Sequence, residues 1–205
     1  MYRVLTISRE YGSGGIHTAR MTANQLGWRL LDYELIETIV ERANVDSHVA
    51  QRFDERVDPW LHRISRKALW QGTFEGVATL EETAVFDAHT MAILTRRIIL
   101  EAAEIGECVI VGRGAQCLLA GRADTFHVLA YAPRALRLEN LRKRLPEVAN
   151  LERAMDMVDR RRADYIRMNY NRDMYDPQLY DLMVNTRVGI EATLRTILFA
   201  MGRGE

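Results

Sequence analysis

A cluster of small residues follows the first apolar run of this 205-residue chain. The run VLTIS leads into REY and then into GSGG, residues Gly12 to Gly15, before a helical pattern begins. Glycines at such a junction let backbone amides approach a phosphate, and a helix N-terminus adds partial positive charge. A tight turn without a ligand is the alternative, but it needs fewer small residues. The stretch therefore predicts an anion-binding loop.

The kind of anion is open at the level of motifs. Gly12 and Gly14 fit part of the dinucleotide pattern GxGxxG, and Asp32 ends the second strand, where a ribose-binding acid would lie. Against this, His17 stands at the third glycine, and REY lengthens a turn that dinucleotide folds keep short. The P-loop pattern GxxxxGK[ST] also fails, because Gly15 occupies the place of the lysine.

Short apolar runs alternate with segments of helical period, which is typical of parallel strands joined by helical crossovers. The runs predict five strands, at residues 3–8, 29–31, 108–112, 126–132 and 182–185. Helices are predicted where apolar residues share a stripe, as over residues 16–26, 91–105 and 190–201. These elements indicate one α/β domain over residues 1–205, with a helical insertion over residues 33–90 at the carboxyl edge of the sheet.

The composition limits the classes of partner. Lysines and arginines number 28 and acidic residues 28, so the charge balance predicts no broad nucleic-acid surface. The first residues do not resemble a signal peptide, and no apolar run approaches membrane-spanning length. Two cysteines without ligand spacing indicate reduced thiols. We therefore expect a cytoplasmic protein that binds neither nucleic acid nor a membrane.

Three longer stretches resemble the cytidylate kinases. ISREYGSGGIHTARMTANQLGWRLLD is similar to their opening strand, glycine core, helix and second strand. CVIVGRGAQ resembles their third strand and Gly-Arg-Asp signature, with Gly112 and Arg113 retained and Gly114 replacing the aspartate. TFHVLAYAPRALRLENLRKR and LYDLMVNTRVGIEATLRTIL look like the fourth and fifth strands with their helices. Nearly the whole chain resembles the cytidylate kinase-like family, a branch whose glycine loop lacks the lysine.

The resemblance implies a three-layer P-loop NTPase fold with a central parallel five-stranded sheet, a helical insertion that binds the acceptor, and a short lid over residues 155–176. It also implies ATP-dependent phosphorylation of a nucleoside monophosphate, CMP or dCMP above others, with Mg²⁺ as the second cofactor. The partners would be small-molecule nucleotides, and a homodimer is compatible with the sequence. No protein residue is predicted as a metal ligand.

On the donor side, the resemblance places the phosphates of ATP on the amides of Gly12 to Ile16. Ser13 offers a hydroxyl, and His17 stands where related kinases carry a threonine near magnesium, although magnesium prefers oxygen ligands. Since the loop lacks lysine, a neighbouring arginine must supply the cation. Arg9 flanks the loop and Arg20 lies one turn into the helix. An exposed position is an equally good interpretation of Arg20.

On the acceptor side, Arg113 would bind the monophosphate with its planar guanidinium. Asp32 would lie at the mouth of the acceptor pocket and Arg97 would make a second phosphate contact. Arg162 and Arg167, in the arginine-rich run DRRRADYIRMNY, would close over the transferring phosphoryl group as catalytic arginines. Other interpretations are a salt bridge for Arg113, a helix cap for Asp32 and a solvated helix face for the lid arginines.

Two further functions remain open at this point. The chain could bind or sense a nucleotide without transferring phosphate, because the loop lysine and the signature aspartate are both missing. It could also be a dinucleotide-dependent oxidoreductase that uses Gly12, Gly14 and Asp32. The three possibilities differ in the ligand that should stabilise the folded protein.

Overall fold

The structure, a computed structural model, describes residues 1–32 and 88–204, without the side chains of residues 88–91. The chain divides into two compact units, Met1–Leu31 with Glu107–Glu205, and Asp32–Gly106. Nearly all of the insertion predicted over residues 33–90 lies outside the described residues. In the second unit, the structure describes one long helix.

Five parallel strands form the sheet of the first unit. They are β1 (Val4–Arg9), β2 (Arg29–Leu31), β3 (Cys108–Val111), β4 (Thr125–Tyr131) and β5 (Leu182–Asn185). All pairs are parallel, and the spatial order is β2-β3-β1-β4-β5. The predicted strands are confirmed to within one residue at each end. β3 is buried throughout and β4 up to its last residue, as expected of continuous apolar runs in a sheet covered on both faces.

Helices connect the strands. In chain order they are α1 (Gly15–Leu26), α2 (Ala88–Ile105) of the second unit, α3 (Ala115–Leu118), α4 (Arg134–Arg144), α5 (Leu151–Tyr170) and α6 (Ile190–Ala200), with 3-10 turns at Pro177–Leu179 and Thr186–Val188. The helical stripes predicted from the sequence fall on α1, α2 and α6. No helix in the described ranges has the length and apolar character needed to cross a membrane.

The helices cover opposite faces of the sheet. Side chains alternate between faces along β4, so Val128 and Ala130 pack with α1 and α6 while Leu129 packs with Ile166 of α5. The first core cluster also contains Ala19 of α1 and Ile197 of α6. This arrangement makes the three layers, helices on sheet on helices, that the family resemblance predicts.

β1 lies between β3 and β4, so the chain changes direction across the sheet at the carboxyl end of β1. Ligands of open α/β sheets bind at such a switch point. A dinucleotide-binding sheet has β2 next to β1, whereas here β3 separates them. The strand order therefore argues against the oxidoreductase alternative, in which Asp32 would follow the strand neighbouring β1.

One buried histidine gives the fold a pH-dependent stability. His127 lies on β4 with its Nδ1 2.7 Å from Thr6 Oγ1, and burial lowers its pKa. The unfolded chain then binds a proton that the folded chain does not, so the free energy of unfolding should fall as the pH drops below about 6.5. Chemical denaturation between pH 7 and pH 5 should show a steeper loss for the wild type than for His127→Gln. Equal slopes for the wild type and His127→Gln would contradict this account.

Candidate functional site

The glycine loop connects β1 to α1 at the switch point. Gly12 and Gly14 have φ values of +83° and +82°, a left-handed conformation that side chains other than glycine rarely adopt. A Cβ on Gly12 would lie 2.7 Å from the backbone oxygen of Arg137, so the loop rests directly on α4. Among the residues that the structure describes, no atom would lie within 4 Å of a Cβ on Gly14. The loop is therefore packed on one side and open at Gly14.

The backbone carbonyls of the loop all accept hydrogen bonds from the protein. Ser13 Oγ donates to the oxygen of Glu10 at 2.9 Å. The other donors come from distant elements: Arg162 to Arg9 at 3.0 Å, Arg137 to Tyr11 at 2.8 Å, Asn140 to Gly12 at 2.9 Å and Thr186 to Ser13 at 2.6 Å. The loop backbone thus has its acceptors occupied from Arg9 to Ser13.

The amides behave differently. Within the described part of the chain, the N–H groups of four residues have no acceptor: Gly12, Gly14, Ile16 and His17. Three of them are at the start of α1, where a helix leaves its first N–H groups unbonded. A loop with occupied carbonyls and available amides offers donors only, and such a surface favours an anion.

Arg9 occupies the place that a P-loop lysine would need. A Cβ on Gly15 would lie 2.7 Å from the Cβ of Arg9 and 3.1 Å from the Cβ of Ala130. A Cβ on Gly112 would collide with Nη1 of Arg9. The Arg9 side chain therefore runs past the first residue of α1 to the turn after β3. Both glycines leave room for it.

The turn after β3 has an unusual backbone. Gly112, Arg113 and Gly114 all have positive φ values, of +75°, +57° and +70°. The hydroxyl of Tyr170 donates to the oxygen of Arg113 at 3.4 Å, and a Cβ on Gly114 would collide with the Tyr170 ring. This turn thus carries a half-buried arginine in a strained conformation beside Arg9, and it has no room for a side chain at position 114.

Comparison with known proteins decides the family. A sequence model of the cytidylate kinase-like family matches residues 4–188. The chain belongs to the cytidylate kinase-like family. The resemblance seen in the sequence is thereby confirmed over nearly the whole chain. No curated protein sequence matches the chain.

Solved structures support the fold of this family member. An uncharacterized protein from Eubacterium ventriosum is similar with a TM-score of 0.69 at 18% identity, over 97% of this chain and 98% of that one. Shikimate kinase from Bacteroides thetaiotaomicron is similar with a TM-score of 0.53 at 14% identity, over 97% of this chain and 98% of that one. Shikimate kinase from Acinetobacter baumannii in complex with shikimate has a TM-score of 0.50 at 14% identity, over 98% of this chain and 93% of that one. At these identities the likeness concerns the fold alone, which is that of the P-loop kinases.

Two positions that differ from the P-loop and cytidylate kinase motifs, Gly15 and Gly114, each lie against a large side chain. At Gly15, where the P-loop motif has lysine, the stem of Arg9 fills the space that a side chain would need. At Gly114, where the cytidylate kinase signature has aspartate, the ring of Tyr170 lies where a Cβ would be. In each case a large side chain from another part of the chain takes the space that a side chain at the glycine would need.

The structure brings some of the predicted site residues together. Arg162 contacts the loop, because its guanidinium donates to the Arg9 carbonyl. Burial lowers the pKa of the Arg162 guanidinium. Ser13 is buried, with its hydroxyl bonded within the loop, whereas His17 is exposed on the first turn of α1. Arg167 is exposed on the last turn of α5.

Other predicted residues lie elsewhere or have no assigned ligand role. Asp32 and Arg97 belong to the second unit, and both are half-buried. In the ranges that the structure describes, no group of three histidine, cysteine, aspartate or glutamate side chains could hold a metal ion. The catalytic and binding roles of the individual residues stay predictions.

The residues that hold the loop were not identified in the sequence. Arg137 of α4 lies 3.3 Å from Glu10 and pairs with Asp159 of α5, and all three side chains are largely buried. Asn140 and Thr186 complete the set that holds the loop. A glutamate inside a glycine loop was the one local signal, since a buried carboxylate requires a cationic partner. Nothing in the local sequence names that partner.

Proposed function

We propose that the protein transfers a phosphoryl group from ATP to a nucleoside monophosphate, with CMP or dCMP as the preferred acceptor. The observation that carries the proposal is the donor-only loop beside Arg9. Phosphoryl transfer requires positioning and neutralisation of oxygens more than covalent chemistry, and amides, a helix N-terminus and arginines can supply both. Membership of the cytidylate kinase-like family supports the reaction class.

The donor phosphates would lie on the four available amides of the loop, above Gly14. No atom of the described residues lies within 4 Å of a Gly14 Cβ, and this supports the position, because a phosphate needs that space. Mg²⁺ would accompany ATP and neutralise charge on its phosphates. It is commonly held by phosphate oxygens and water with few protein ligands. Since the Ser13 hydroxyl bonds to the Glu10 carbonyl, we assign no protein ligand to the ion.

The acceptor phosphate would bind Arg113, whose guanidinium can form two parallel hydrogen bonds to phosphate. Its place at the carboxyl end of β3, beside the switch point, supports this role. For Asp32 and Arg97, which belong to the second unit, a role in acceptor binding stays a prediction. These assignments predict that Arg113→Lys, which keeps the charge but not the fork, impairs the acceptor rather than ATP.

Arg9 would supply the cation that the loop lysine provides elsewhere. In the described ranges one lysine is present, Lys143 on α4, and its Nζ pairs with Glu139 at 2.7 Å. Arg9, beside the loop, would neutralise the charge that develops on the transferring group. Arg162 and Arg167 are proposed to add to this positive charge from the lid-like segment of residues 155–176.

Substitution of Gly14 tests the loop assignment. Gly14→Val should weaken ATP binding at least about tenfold, because the new side chain fills the phosphate position. Gly121→Val is a matched control: Gly121 also has a φ of +82° and open space around its Cβ, but it precedes the opposite, amino end of β4. Both variants should lose similar stability from backbone strain.

Titration calorimetry with ATP and Mg²⁺ would measure the difference. Wild-type affinity in Gly14→Val, or an equal loss of affinity in both variants, would contradict the loop assignment. A protein that binds ATP but phosphorylates no monophosphate would support the second candidate function, a nucleotide-binding protein without transfer. The missing lysine is the observation that favours this candidate.

A further inference from the structure

The peptide groups on both sides of Tyr11, one residue before Gly12, are held by a buried ion pair. Asp159 Oδ1 accepts from the N–H of Tyr11 at 2.7 Å, and Arg137 Nε donates to the Tyr11 carbonyl at 2.8 Å. Arg137 and Asp159 also bond to each other. Their side chains are only 9% and 14% exposed. The pair thus links α4, α5 and the loop in one network.

The side chain of Tyr11 is held as well. The guanidinium carbons of Arg144 and Arg162 lie 5.1 Å and 5.5 Å from the centroid of its ring, within the range of cation–π attraction. The ring also packs against a core cluster formed by Leu138, Leu141 and Met155. Tyr11 therefore fixes the loop to the two helices through its backbone and its side chain.

We propose that Arg137 and Asp159 are positioning residues that set the donor-only conformation of the loop before any ligand binds. A glycine-rich segment loses much conformational entropy on ordering, and a loop that is already ordered does not lose it on binding. The pair orders the loop by fixing the orientation of both peptide groups of Tyr11. The effect on ATP affinity rests on the proposed function of the loop, whereas the effect on loop order does not.

The chain contains a matched control for this pair. Arg134 and Asp156 lie one helical turn earlier on the same two helices, with the same separation of 22 residues, and are bonded at 2.5 Å and 3.0 Å. Both side chains are 50% exposed, and within the described residues Arg134 bonds to Asp156 and Glu152, neither of which belongs to the loop. Asp156→Asn therefore makes the same chemical change in an α4–α5 link that does not touch the loop.

Hydrogen exchange and ATP titration would test the proposal in the full-length protein. Without ligand, Asp159→Asn should speed amide exchange about tenfold at the hydrogen-bonded loop amides, those of Glu10, Tyr11, Ser13 and Gly15, while exchange in β4 stays at the wild-type rate, because the loop loosens locally. ATP should bind about tenfold more weakly. Asp156→Asn should change neither quantity. Arg137→Lys should behave like Asp159→Asn, since one ammonium cannot replace a fork that reaches Glu10, Tyr11 and Asp159 together.

The outcomes separate this inference from the proposed function. The inference would be overturned, even if the wild type binds ATP, if the loop amides of Asp159→Asn exchange at the wild-type rate. It would also be overturned if Asp159→Asn and Asp156→Asn have equal effects. Faster loop exchange together with no ATP binding by the wild type would support loop positioning and overturn the proposed function. If Asp159→Asn does not fold, Arg137→Lys decides by the same two measurements.

Discussion

Replacing Arg9 by alanine should lower the turnover of phosphoryl transfer by about 10³-fold, the low end of the contribution of a single cationic finger. The affinity for ATP should change less than about tenfold, because the loop amides remain. The reason is that Arg9 lies between the start of α1 and the Gly112 turn, where the transferring group would be. Initial rates with saturating ATP and CMP, together with ATP titration, would separate the two effects.

Arg20→Ala is the comparison for this experiment, because Arg20 is the other arginine near the loop in sequence and is exposed on α1. Its turnover should stay within about twofold of wild type, as for surface substitutions away from the site. If Arg20→Ala loses turnover and Arg9→Ala does not, the cation comes from the helix and our assignment is wrong.

Restoring the loop lysine should have the second large effect, and it should be harmful. In Gly15→Lys the new Cβ would lie 2.7 Å from that of Arg9, so one of the two residues must move. Overpacking of this kind costs about 1–3 kcal/mol. The Tm should fall by roughly 2–4 °C for each kcal/mol, and turnover should fall because Arg9 is displaced. Thermal unfolding and the same kinetic assay would measure both.

The double variant Arg9→Gly with Gly15→Lys tests whether a lysine at position 15 can take over the role of the arginine at position 9. Removing the Arg9 side chain relieves the contact, so the double variant should be at least about tenfold more active than either single variant, a clear non-additivity. Strictly additive losses of activity would show that the lysine does not replace the arginine. A stable and fully active Gly15→Lys would show that the space beside Arg9 is not restrictive.

The strands and helices could be predicted because their signals are local. β3 is marked in the sequence by four apolar residues that are followed by Gly112, and α1 is marked by apolar residues at helical spacing from Ile16 to Leu26. The glycine loop was also recognisable, since Gly12 and Gly14 require a backbone that other residues rarely adopt. For these elements the sequence contains the cause of the structure within a few residues.

The support of the loop depends on contacts across long stretches of chain. Asp159 is 148 residues from Tyr11, and Thr186 is 173 residues from Ser13. Arg162, predicted as a catalytic lid arginine, is bonded to the Arg9 carbonyl, a contact that no spacing rule indicates. A charged residue in a helix shows that it has one polar face, but its partner is set by how the helices pack.

Positions 15 and 114 illustrate the same point. Glycines at 15 and 114 look like losses when they are read alone. The structure relates each to a side chain distant in sequence or on a different element, Arg9 on β1 and Tyr170 at the end of α5. A single sequence does not show that such positions change together, because the steric contact that links them exists only in the folded chain.

The most direct test of the central claim is a ³¹P NMR measurement of the wild-type protein with ATP, Mg²⁺ and each nucleoside monophosphate in turn. Transfer through an arginine-assisted loop predicts that ADP and CDP appear in equal amounts from ATP and CMP, and that Arg9→Ala slows their formation about 10³-fold. Unchanged spectra for every monophosphate, with ATP bound to the protein, would contradict the claim and leave a nucleotide-binding protein without transfer.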